Sequence, residues 1–159
     1  MRIFLQKTLG WGRQLGQRTN LGLAAGLLYA LATPHMVKAA ENTLELELNR
    51  AAQTDSGCML TFVAANKTGK ALDGVAYEFV LFDADGLVDL MTAFDFGAMP
   101  EQKTVVRQFE LAGAQCPAIS QILVNGAARC DLAAPAEAAD DTCVSSLATK
   151  SRTDIAFIK

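Results

Sequence analysis

The sequence predicts an all-β domain, an antiparallel sandwich of about seven short strands, preceded by a cleavable signal peptide. Three observations predict it. Past residue 40, apolar residues alternate with polar ones at the two-residue period of half-buried strands. Turn signals rich in Gly, Asp, Asn and Pro recur every 8–15 residues, and no run keeps a helical 3.6-residue period. Before residue 40 the pattern differs in kind. Arg2, Lys7, Arg13 and Arg18 precede a charge-free apolar run over residues 21–32, Pro34 follows, and Val37 and Ala39 place small side chains at a cleavage site.

The leader comes first. A run of 12 apolar residues is shorter than the roughly 20 needed to span a bilayer. Arg13 and Arg18 are not adjacent, as a twin-arginine signal requires, and no cysteine stands at the cleavage site for a lipid anchor. Export by the general secretory route to the periplasm is expected, with residues 1–39 removed and 40–159 forming a single β-sandwich domain. Cleavage there removes the only histidine, His35, the only tryptophan, Trp11, and five basic residues. Nine basic and seventeen acidic side chains remain, a formal charge of −8. That balance disfavours nucleic acid, whose binding depends on Lys and Arg neutralising phosphates, and anionic membrane surfaces. No stable membrane insertion is expected after processing.

The strands follow in order. Over residues 43–49, Leu44, Leu46 and Leu48 alternate with Glu45 and Glu47, a half-buried strand; residues 51–57 read as a polar turn. Residues 58–65 form a second strand and 66–70 a loop. Residues 74–83 form the third and most apolar strand, with Val75, Tyr77, Phe79 and Leu81 on one face and Val80 and Phe82 covering the other near its end. Asp83, Asp85 and Gly86 mark a tight hairpin turn. Residues 87–96 return as the fourth strand, and Gly97 and Pro100 end it. Residues 103–111 give the fifth, with Val105, Phe109 and Leu111 in phase, and 119–125 the sixth. Residues 128–142, rich in Ala, Asp and Pro, read as a loose surface loop. A last strand covers residues 154–158. A small barrel is the competing architecture.

Four cysteines allow three pairings. In a seven-strand immunoglobulin-like order the second and fifth strands are neighbours. Cys58 opens the second strand and Cys116 follows the fifth, so both fall at one end. Cys130 and Cys143 flank a single connection at the other end. The expected bridges are therefore Cys58–Cys116 and Cys130–Cys143, both structural. A redox pair shows C-x-x-C spacing and a zinc site shows short paired spacings; successive cysteines here are 58, 14 and 13 residues apart.

No Ser/His/Asp or Cys/His set can be assembled in the mature chain, so no catalytic residue, cofactor or metal is assigned. The nearest approach to a metal loop is Asp83, Asp85 and Asp89 around Gly86, which lacks the further oxygens and flanking helices of an EF-hand; solvated turn aspartates explain it more simply. Asn66 and Thr68 fit a glycosylation sequon and read equally as a polar loop. Glu137, Asp140 and Asp141 form a local acidic patch, and Lys150 and Arg152 a basic cluster that can protect a strand edge.

Phe79, Leu81, Phe82 and Asp83 are similar to the Phe-x-Leu-Tyr-Asp motif of bacterial extracellular immunoglobulin-like domains, with Phe82 in place of the tyrosine. More broadly, the order of these strands and cysteines resembles a set of small, uncharacterised exported proteins of alphaproteobacteria, over nearly the whole mature chain. The resemblance implies a periplasmic immunoglobulin-like sandwich and carries over no catalytic residue or ligand. The functional expectation is a non-enzymatic interaction module for a periplasmic or envelope protein. Two alternatives stay open. One is a small-molecule or calcium binder, or atypical enzyme, with a site near Asp83 and Asp89. The other is a structural accessory subunit of an envelope assembly.

Overall fold

A computed structural model describes residues 42–133 and 141–159. The expected signal peptide, His35, Glu137 and Asp140 lie outside the described residues. The eight strands are β1 (Leu44–Gln53), β2 (Gly57–Asn66), β3 (Leu72–Phe82), β4 (Val88–Met99), β5 (Thr104–Ala112), β6 (Gln121–Leu132), β7 (Leu147–Ser151) and β8 (Ala156–Ile158). A 3-10 turn, Cys116–Ala118, precedes β6, and a one-turn helix α1, Thr142–Ser145, precedes β7. No helix among the described residues is long and apolar enough to cross a membrane.

The strands form two four-stranded sheets, ordered β5-β2-β1-β7 and β4-β3-β6-β8. Both are mixed, which corrects the expected antiparallel pattern: β1 pairs parallel with β7, and β6 parallel with β8. The cause lies in the connections. Each strand runs opposite to the one before it in the chain, so strands separated by an odd number of steps pair antiparallel. The chain after β6 instead lays β7 beside β1 and β8 beside β6, each an even number of steps away, and these pairs must be parallel.

The strand count also rises from about seven to eight. Leu147, Thr149 and Ser151 alternate with Ala148 and Lys150, but of the first three only Leu147 is apolar, so β7 leaves little hydrophobic trace in the sequence. Residues 128–132, expected as loop, continue β6 and pair with the start of β3. Residues 51–53, expected as turn, extend β1 beyond a bulge between Leu48 and Arg50.

The core lies between the sheets and takes one face of every strand. Leu44, Leu46 and Leu48 of β1, Leu60 and Phe62 of β2, and Tyr77, Phe79 and Leu81 of β3 are almost wholly buried, as their alternation requires. Phe62 is its centre, with ring centroids of Phe79, Phe94, Phe96, Phe109 and Phe157 at 5.6–6.2 Å. The Tyr77 hydroxyl donates to the Cys143 carbonyl at 2.7 Å and ties β3 to α1. Burial holds that phenol well above its ordinary range, so it remains a donor at all physiological pH values.

Candidate functional site

The outer face of the β4-β3-β6-β8 sheet divides into an apolar end and a charged end. The apolar end is built on the β3–β4 hairpin. Asp83 shapes its turn: the Oδ1 atom accepts the backbone N–H groups of Asp85 at 2.9 Å and Leu87 at 2.8 Å, and the Asp83 carbonyl accepts Gly86 N–H at 3.1 Å. Gly86 closes the turn at φ 79°, a conformation that glycine adopts without strain. Ser120 secures the hairpin from the neighbouring connection, its hydroxyl donating to the Phe82 and Asp83 carbonyls.

Register then sets a row of apolar side chains across the whole sheet. Met91 of β4 faces Val80 of β3, Val80 faces Leu123 of β6, and Leu123 faces Ile158 of β8. Val88 opposes Phe82 in the next row of the same face. Val80 is buried although it lies outside the core cluster, because its cross-strand neighbours cover it. The rest is open: Leu87 is 65 %, Met91 62 %, Val88 57 % and Ile158 42 % exposed. Exposed apolar side chains gathered on one face of this hairpin make it the candidate site.

The charged end sits over Gly74. The Arg129 guanidinium lies 2.7 Å from where a Cβ on residue 74 would stand, so a side chain there would displace it. There Arg129 Nη2 donates to Asp95 at 2.8 and 3.0 Å, and its Nε lies 3.5 Å from Asp131. This exposed cluster adds little stability, but it holds the Arg129 cation between two carboxylates.

The other sheet carries a second group of paired cations. Lys67 and Lys150 reach Glu45, while Lys150 at 3.1 Å and Arg152 at 2.8 Å reach Glu47. Glu47, expected on the solvent side, is only 5 % exposed. A hydrogen bond from Asn49, with those from Lys150 and Arg152, holds its carboxyl below the ordinary 4.5 against the opposing effect of burial. A lowered folded pKa gives stability that is present above the unfolded value and lost as pH falls through the folded one. The melting temperature will therefore fall as pH drops below about 4.5, and the decline will be shallower in Glu47→Gln; paired thermal melts across that range check it.

Each residue singled out in the sequence can now be placed. The sulfurs of Cys58 and Cys116, and of Cys130 and Cys143, are at bonding distance, with Cα separations of 5.0 and 5.9 Å. The two bridges lie at opposite ends of the domain. Asp83 is engaged by its own turn, and Asp85 and Asp89 are exposed. Among the described residues no three His, Cys, Asp or Glu side chains come close enough to share a metal ion. Asp141 is exposed beside α1.

Asn66 has a different role from that of a sequon. It is 1 % exposed, its Nδ2 donates to the carbonyls of Lys70 at 2.7 Å and Met99 at 2.8 Å, and its Oδ1 accepts from Thr68. The amide nitrogen is enclosed and fully used. Asn66→Asp will set a carboxylate oxygen against two buried carbonyls and cost about 3 kcal/mol, to be read as a lower denaturation midpoint.

A cleft of about 470 Å³ opens beside the Cys58–Cys116 bridge, lined by Ala51, Pro117, Ile119, Ser120, Asp154 and Ile155 among others. The Ser120 hydroxyl is taken up by the hairpin carbonyls, and Asp154 is the cleft's single carboxylate, so no pair of groups there can share acid and base roles. The residues that sequence reasoning missed are Val88, Met91, Leu123 and Ile158. Their strands were legible, but their alignment follows from register. No protein-family model, no curated protein sequence and no solved structure matches the chain.

Proposed function

We propose that the chain is a non-enzymatic, immunoglobulin-like interaction module of the periplasm that holds an envelope protein on the outer face of the β4-β3-β6-β8 sheet. The observation that carries this reading is the apolar row through Met91, Val80, Leu123 and Ile158, open to solvent at Met91 and Ile158 and flanked by exposed Leu87 and Val88. The division of β1, β2 and β5 from β3, β4 and β6 supports the immunoglobulin-like assignment, since that fold separates strands A, B and E from C and F. Two bridged cysteine pairs with no free cysteine among the described residues suit an oxidising compartment.

Two measurements test the proposal. Intact mass of the protein recovered from the periplasm should match residues 40–159 less four hydrogens; a full-length species with four thiols would refute export. Photo-crosslinking in cells from position 91 should trap one reproducible protein that is not trapped from Gln108 on the other sheet. Identical background from both positions would remove the docking face and leave the accessory-subunit reading.

A further inference from the structure

Resting on that docking reading, we infer that the face is built for a basic amphipathic polypeptide segment, one that alternates apolar side chains with Lys or Arg. The argument is charge complementarity around an apolar centre. No Lys or Arg occurs between Lys70 and Lys103, whereas seven acids do: Asp73, Glu78, Asp83, Asp85, Asp89, Asp95 and Glu101. None occurs between Arg107 and Arg129 either. The β3–β4 hairpin therefore borders the apolar row with acids and no cation, residues 121–128 of β6 are uncharged, and Lys159, next to Ile158, is drawn to the Leu147 carbonyl. Asp85 in the turn and Asp89 between Val88 and Met91 are both exposed. The nearest cation on that face, Arg129, is held by Asp95 and Asp131 at the far end, and the paired Lys67, Lys150 and Arg152 lie on the opposite sheet.

Such a surface repels two other occupants. A second copy would bring Asp85 and Asp89 against an equally acidic hairpin, and like charges across an interface repel. An anionic lipid surface is disfavoured for the same reason. A cationic segment gains on both counts, burying the row while its charges meet the rim. The strand geometry also suits an extended guest. β4 is a sheet edge with β3 as its only strand partner. Arg107 of β5 closes part of that edge, donating to the Phe96 carbonyl at 2.8 Å; the stretch from Val88 to Met91 lies beyond it. An added strand places alternate side chains over the face, the usual mode of edge recognition.

The test uses short synthetic peptides alternating leucine with lysine, leucine with glutamate, and serine with lysine, titrated onto the processed protein. The leucine–lysine peptide should bind at least about tenfold more tightly than either of the others, and more weakly as salt rises. The exposed double variants Val88→Ser/Met91→Ser and Asp85→Asn/Asp89→Asn, checked for unchanged circular dichroism, should each weaken it about tenfold. Equal binding of the glutamate peptide would overturn the cationic class but keep the docking face. Equal binding of the serine–lysine peptide would reduce the effect to bulk charge and overturn the inference. Self-association that Met91→Ser abolishes in sedimentation would assign the face to a second copy instead. If no peptide binds, the inference fails; crosslinking from position 91 then decides whether the docking reading survives it.

Discussion

Phe62→Ala will destabilise the domain by about 3–5 kcal/mol, the range for truncating a buried aromatic. Phe62 is completely buried, and its ring touches five others that come from both sheets: Phe109 across from β5, and Phe79, Phe94, Phe96 and Phe157 from the facing sheet. None of those can move into the space without opening its own contacts; Phe94 and Phe109 are already stacked at 4.3 Å. The cavity therefore stays open, which places the cost toward the upper end. Phe62→Leu keeps most of the volume and should lose about half as much. Denaturant titration of the two variants against the parent distinguishes a rigid aromatic centre from one that collapses. A loss below about 1 kcal/mol for Phe62→Ala would show a core able to refill.

Removing the Cys58–Cys116 bridge, as Cys58→Ala/Cys116→Ala, will cost about 4 kcal/mol, and removing Cys130–Cys143 about 3 kcal/mol, on the chain-entropy account. The difference follows from loop length: the bridges close 58 and 13 residues of sequence separation. Each bridged end also has a hydrogen bond of its own. When the shorter bridge is lost, the Tyr77 hydroxyl still holds the Cys143 carbonyl, so α1 keeps one anchor to β3. When the longer bridge is lost, the Cys116 N–H still donates to Gln53 Oε1 at 2.8 Å, so the 3-10 turn keeps one anchor to β1 and loop length sets the ranking. Midpoints of urea unfolding for the two double variants should rank in that order; the reverse ranking would mean that unfolded-state loop entropy is not the main contribution.

The fold was legible where one face of a strand is uniformly apolar. Leu44, Leu46 and Leu48 announced β1, and Tyr77, Phe79 and Leu81 announced β3. It was not legible at β7, where Thr149 and Ser151 occupy the inward positions. That segment becomes a strand through pairing with β1, a tertiary effect that overrides composition. Glu47 shows the same limit. Alternation puts it on the solvent side, correctly, but the covering stems of Lys150 and Arg152 arrive only when β7 is in place. Asn66 did carry a signal: an asparagine two residues before a threonine at a strand end is a turn-forming pair. The apolar row of the candidate site carried none, because Met91, Leu123 and Ile158 are far apart in the chain and meet only through register.

The order in which the strands are completed has a consequence for biogenesis. The two segments that finish the sheets, β7 at one edge and β8 at the other, come last in the chain. A polypeptide made amino end first exposes the flank of β1 and the flank of β6 until β7 and β8 have been synthesised. Those late, long-range pairings are slow to form, so both flanks stay open to other strands until β7 and β8 dock.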